Sequence, residues 1–248
     1  MEMEYNDFIV EIATTDFESV KAAVAGGADR IELCANLGEG GTTQSYGVIQ
    51  KVREHFDVPI YPIIRVRGGD FLYTEAEFDC MLADAINCKN LDCDGVVTGF
   101  LKANGTIDTE RTARVVEAVY PLGVTFHRAF DRCREPLEAL EQIIKTGCER
   151  ILTSGQQATA MEGSQLIRQL RQQADGRIRI MPGSGVRANN VKQLVEITGC
   201  HEFHSSLREM IPSKMHYTVP AFENDRETVQ HSGINPAAVA AFKKALHY

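Results

Sequence analysis

The chain is predicted to be an α/β protein, a single (β/α)8 barrel of the TIM type spanning residues 1–248. Three observations lead there. The length of 248 residues sits at the roughly 250 residues typical of one such barrel. Eight short apolar runs alternate with amphipathic stretches of helical period, the pattern of a parallel sheet covered by helices. A motif also recurs: Gly27-Ala-Asp-Arg-Ile-Glu-Leu-Cys34 resembles Gly147-Cys-Glu-Arg-Ile-Leu-Thr-Ser154 and Gly199-Cys-His-Glu-Phe-His-Ser-Ser206. Each copy places a glycine after a helical stretch, where a left-handed residue lets the chain reverse into the next strand.

In this frame the strands are predicted around 9–12, 30–33, 60–64, 95–98, 124–127, 150–153, 178–181 and 202–204. Helices are predicted at 16–25, 75–88, 109–119, 136–145, 164–173, 189–197 and 236–246. Thr15-x-x-Glu18 and Thr74-x-x-Glu77 read as capping boxes, and Pro136 and Gly147 bracket one helix as expected of a start and a stop. An open doubly wound sheet is the rival architecture. It usually carries a Gly-x-Gly-x-x-Gly turn after its first strand, whereas here that strand runs into Ala13-Thr-Thr-Asp16. The stretch from Leu207 to Asn235 is longer than ordinary connections and reads as a lid or a subunit contact.

Composition narrows the function. Thirty-four acidic against 26 basic residues give a net charge of −8, which disfavours nucleic acid as a partner because phosphate backbones select basic surfaces. No apolar run approaches the roughly 20 residues of a membrane span, and the acidic start, Met1 to Asp7, lacks the basic stretch of a signal peptide. Seven cysteines without a Cys-x-x-Cys pair indicate reduced thiols rather than a disulfide framework or zinc knuckle. A cytoplasmic location is the expectation.

Barrel enzymes work at the C-terminal ends of their strands, and here those ends are polar. Glu11 and Glu32 lie within otherwise apolar strands, where a bare carboxylate is costly to bury. They read as a base or a metal-binding pair; the plainer alternative is a structural salt bridge, for instance to Arg65. His127 is a candidate acid, or a core histidine bonded to backbone. Arg65 is suited to hold a carboxylate in two-pronged fashion. His204 is balanced between structural and functional roles.

The loop Gly183-Ser184-Gly185 after strand seven, with Ser205 and Ser206 after strand eight, is placed where many barrels bind phosphate on backbone amides. Gly38 to Thr42 reads as a flexible loop near the same mouth. Two chemistries follow. The first is an enzyme acting on a small phosphorylated or carboxylated compound, with Glu11 or Glu32 as base, His127 as acid and Arg65 as orienter. In a variant, the carboxylates and His127 hold a hard divalent ion. The second places a soft ion such as Cu(I) on Cys34, against the commoner use of a lone cysteine as a small core residue. An empty scaffold is the third possibility.

Several of these segments resemble the CutC family of copper homeostasis proteins: Gly27-Ala-Asp-Arg-Ile-Glu-Leu-Cys34, Glu39-Gly-Gly41, Pro62-Ile-Ile-Arg-Val-Arg-Gly-Gly-Asp-Phe71, Val97-Thr-Gly99, Val124-Thr-Phe-His-Arg-Ala-Phe-Asp131, Leu152-Thr-Ser-Gly155 and Phe203-His-Ser-Ser206. The resemblance covers nearly the whole chain. It implies a TIM-type barrel, a cytoplasmic protein, homo-oligomers with a dimer first, and a role in copper handling with Cu(I) on cysteine, here Cys34 helped by Cys133 or His204. The sequence departs from the pattern at Ala13, where several members carry a second cysteine, and at Ser184, where members carry glycine.

Overall fold

The computed structural model describes residues 8–225 and 229–246. Eight parallel strands alternate with helices: β1 (Ile9–Thr14), α1 (Phe17–Ala25), β2 (Arg30–Leu33), α2 (Tyr46–Arg53), β3 (Ile60–Pro62), α3 (Glu75–Asn90), β4 (Gly95–Thr98) and α4 (Thr109–Val119). They continue as β5 (Gly123–Phe126), α5 (Pro136–Thr146), β6 (Arg150–Thr153), α6 (Ser164–Ala174), β7 (Arg179–Pro182), α7 (Val191–Thr198) and β8 (Glu202–Ser205). The strands pair in the orders β3-β2-β1-β8 and β4-β5-β6-β7. A parallel bridge between Ile63 and Val97 joins the two halves on one side, and β7 lies against β8 on the other. The barrel is thus a ring in chain order, as the sequence predicts.

The reversing glycines behave as expected. Gly27, Gly147 and Gly199 have φ of +89°, +87° and +66°, a region that residues with a Cβ enter only at a cost. Pro136 opens α5, and Thr74 and Glu77 form the predicted box on α3. The start of α1 differs from expectation. Asp16, not Thr15, is the cap, accepting from the Ser19 amide at 2.8 Å while Ser19 Oγ accepts from the Asp16 amide at 3.0 Å. Thr15 instead donates its hydroxyl to Asp16 at 3.0 Å, so the shorter aspartate reaches the orphan amides first.

Strand alternation divides the residues between two environments. Val10, Ile12, Ile31 and Leu33 are fully buried in the layer between strands and helices. Their neighbours Glu11, Arg30 and Glu32 enter the barrel, where Arg30 bonds Glu11 and Glu202 across strands. The barrel floor is a polar lattice. Arg30 and Arg150 both donate to Glu202, at 2.7 and 2.5 Å, Arg150 also meets Glu149 at 2.7 Å, and the Tyr61 hydroxyl donates to Glu149 at 2.9 Å. Gly95 leaves the room for Tyr61, because a Cβ there would lie 2.1 Å from the ring.

The stretch read as a long loop is partly ordered. It folds as an antiparallel ribbon of β9 (Arg208–Pro212) and β10 (Gln230–Ile234), followed by α8 (Pro236–Leu246). Among the described residues no helix is long and apolar enough to cross a membrane.

Candidate active site

The functional cluster is built from three strands. Glu11 on β1 faces both Arg30 on β2 and His204 on β8, its register partners on either side. One Glu11 oxygen accepts from Arg30 Nε at 2.5 Å and the other meets His204 Nδ1 at 2.8 Å. The second ring nitrogen, Nε2, faces Glu32 at 3.8 Å. His204 therefore stands between two carboxylates, oriented through one nitrogen and directed at Glu32 with the other. The Glu11 side chain is fully buried, and those of Glu32 and His204 are 5% and 12% exposed. Among the described residues Glu11, Glu32 and His204 form the one group of three potential metal-ligating side chains, their donor atoms all within 4.8 Å of each other.

The electrostatics separate the two carboxylates. Burial pushes Glu11 up, but the Arg30 guanidinium and the His204 bond overcome it and hold the acid well below the usual carboxylate range. Burial dominates at Glu32 and, with Glu11 nearby, raises it to about 7. Burial acts to lower His204, yet Glu32 and Glu11 together hold its proton more tightly than in a free imidazole. The two carboxyl groups of this one site thus have opposed protonation tendencies.

The plainer alternative for Glu11, a salt bridge to Arg65, is corrected in its partner. Arg30 lies opposite Glu11 in the β1–β2 register, whereas Arg65 extends beyond the end of β3. There Arg65 is 3% exposed and ties two glycine-rich loops together. It donates to the carbonyls of Glu39 at 2.9 Å, Gly41 at 2.8 Å and Gly69 at 2.8 Å. The predicted flexible loop at 38–42 is thereby pinned, with Gly40 and Gly41 at φ of +87° and +86°.

His127 is 3% exposed and forms a corner with Arg65. The Phe71 ring lies 4.9 Å from the Arg65 guanidinium and 4.9 Å from the imidazole. Burial and the Arg65 charge lower His127 to about 3, so its ring is neutral at physiological pH. The four predicted catalytic residues thus fall into two groups, Glu11 with Glu32 around His204, and Arg65 with His127 around Phe71.

At the predicted anion loop, Ser184 and Gly185 are both left-handed, with φ of +80° and +70°. The hydroxyls are engaged internally: Ser184 donates to the Ala158 carbonyl at 2.8 Å and Ser205 to the Val186 carbonyl at 2.7 Å. Arg187 reaches Ser205 Oγ at 3.4 Å. Gly183 packs against Leu152 and His204, which places the loop beside the acid–base cluster, and Ser206 is half-buried at the end of β8.

Cys34 continues the inward row of Arg30 and Glu32, in a small apolar cluster with Tyr61, Ile63 and Val97. Its thiol contacts the Thr14 carbonyl at 3.5 Å; burial and the neighbouring Glu32 push its pKa strongly upward. Cys133 belongs to the separate main core and contacts Gln156. Sequence reasoning passed over Arg30 and Arg150. Their signal was the charge at a strand's first inward position, which resembles an ordinary turn residue.

The fold and the cluster define the molecule as a TIM-type barrel with Glu11, Glu32 and His204 gathered inside it. The chain belongs to the CutC family, whose model matches residues 8–209. A CutC family protein of Parabacteroides distasonis is 53% identical over 210 residues, covering 84% of this chain and 86% of that one. One of Chromobacterium violaceum is 50% identical over 211 residues, 85% of each chain. A solved structure from Streptococcus agalactiae, bearing the name copper homeostasis protein CutC, is 32% identical with a TM-score of 0.77, and covers 80% of this chain and 98% of that one.

Proposed function

We propose that this CutC-family barrel is an enzyme that moves a proton on a small phosphorylated or carboxylated metabolite. The observation carrying this reading is His204 held by Glu11 through Nδ1 at 2.8 Å and facing Glu32 through Nε2 at 3.8 Å. A carboxylate that fixes the tautomer leaves the far nitrogen as the acid or base. Glu32, raised to about 7, is poised to accept or return a proton near neutrality, where general catalysis is most efficient. In this reading Glu32 and His204 are the catalytic residues and Glu11 is a positioning residue. His127 polarises rather than protonates, because a neutral imidazole is a weak acid. Arg65 orients, and the loop of Gly183, Ser184 and Gly185 with Ser205 and Ser206 cradles an anion through those backbone amides not already bonded, the Gly183 amide being spent on the Thr153 carbonyl at 3.0 Å.

The experiment has two stages. Thermal-shift screening against sugar phosphates and carboxylates identifies ligands that stabilise by mass action. Those ligands are then incubated in D2O with wild type, E32Q and H204Q, and carbon-bound proton exchange is followed by NMR. Exchange in wild type that is lost in both variants is the expected result. Stabilising ligands that never exchange would remove the proposal.

The second reading is copper binding, supported by the name of the Streptococcus agalactiae relative and by Cys34 beside the mouth. Copper here is cargo. The donor set fits Cu(I) poorly, since the group of potential ligands contains two carboxylates and an imidazole but no thiol, and Cu(I) prefers soft sulfur. Copper bound under reducing conditions by wild type but not by C34S supports this reading; equal, negligible binding removes it.

A further inference from the structure

We infer that the corner between Arg65, His127 and Tyr73 is a seat for a carboxylate group. It deepens the proposed function by naming the chemical class of the ligand, and it rests on that reading for its place in a reaction.

Three buried side-chain atoms among the described residues lack a partner at full hydrogen-bonding geometry, and they are Arg65 Nε, His127 Nε2 and the Tyr73 hydroxyl; Tyr73 and Arg65 lie near enough to interact, an interaction that leaves the tyrosine O–H still free to donate. All three residues belong to one corner. Phe71 contacts both Arg65 and His127, and the Arg65 charge acts on both His127 and Tyr73. Unmade hydrogen bonds in a protein interior are costly and uncommon. Their confinement to one place marks a missing acceptor.

The charge balance points the same way. Arg65 is a buried cation with no carboxylate within ion-pair distance among the described residues. Its other nitrogens meet only backbone carbonyls. Glu39 touches it through its main-chain oxygen alone, and Asp70 pairs with Arg67 at 3.1 Å. A buried charge is ordinarily paired, so the group that completes this corner is an anion. The imidazole tautomer agrees. Nδ1 accepts from the Ala129 amide at 3.2 Å, which leaves the proton of the neutral ring on Nε2 as a donor.

Donor number selects the anion. One guanidinium N–H, one imidazole N–H and one hydroxyl match the two oxygens of a carboxylate. A phosphate dianion would bring two negative charges to a corner that holds a single cation, Arg65, beside a neutral His127, leaving one charge buried and unpaired.

The test is an NMR titration of the intact protein with succinate, and separately with inorganic phosphate. The readouts are the Arg65 Nε–H and His127 Nε2–H signals, assigned with R65K and H127Q. Succinate is expected to shift both signals saturably, R65K to abolish the His127 response, and phosphate to leave both signals in place. Unmoved signals at saturating succinate, or an Nε–H that exchanges only with water throughout, would overturn the inference. Shifts with phosphate but not succinate would overturn the ligand class. The same titration on E32Q separates the two readings, because carboxylate binding there is expected to match wild type even where proton exchange is absent. Should R65K fail to fold, the wild-type titration alone still decides.

Discussion

Replacing Glu32 by glutamine should stabilise the protein in alkaline solution, although it removes a site residue. Glu32 is 4% exposed, and burial raises its pKa from 4.5 to about 7. A folded-state value above the unfolded one means the folded chain holds the proton longer. Its contribution is complete below the unfolded value and lost as pH rises through the folded one. Above neutrality the carboxylate is ionised within the barrel, at a cost of about 3 kcal/mol relative to acid conditions. The value of about 7 already includes the pull of His204, so the glutamine gains about 3 kcal/mol. Urea denaturation of wild type and E32Q should therefore show the variant more stable by about 3 kcal/mol at about pH 8.5, the difference fading by about pH 4.5. A variant no more stable than wild type at the higher pH would refute the reasoning.

Three further outcomes follow. E11Q removes the shared negative charge and one of the two oxygens that Arg30 and His204 use, and should cost about 3–5 kcal/mol by chemical denaturation, as broken buried ion pairs do. His127, lowered to about 3, should show no imidazole titration by NMR across about pH 5–8; the stability tied to its neutral ring is full above the ordinary histidine value and is lost progressively as pH falls from there to about 3. G99A places a Cβ 2.6 Å from His127 Nδ1 and should destabilise by about 1–3 kcal/mol, with the Ala129 amide losing its hydrogen-exchange protection.

The barrel was legible because its determinants are local. Gly27, Gly147 and Gly199 mark three helix-to-strand reversals, and the interrupted apolar runs mark the strands. The helix α2 escaped notice because it is eight residues long and contains Gly47. The β9–β10 ribbon escaped because its pairing joins residues about twenty apart without a tight-turn signal. Glu11 and Glu32 stood out as carboxylates in apolar strands. Their partners did not, because cross-strand register decides them: Glu11 lies opposite Arg30 and His204, the latter 193 residues away in the chain. Its place after a neighbouring strand made Arg65 an attractive partner, and the chain carries it past the strand end instead.

The central claim is that one imidazole sits between two buried carboxylates with its outer nitrogen free to exchange a proton with Glu32. Measuring the His204 ring nitrogen shifts against pH, in wild type and E32Q, tests it most directly. The account predicts an Nδ1 that stays protonated throughout and an apparent pKa above 6.5 that falls when Glu32 becomes glutamine. An ordinary value, indifferent to that substitution, would contradict it.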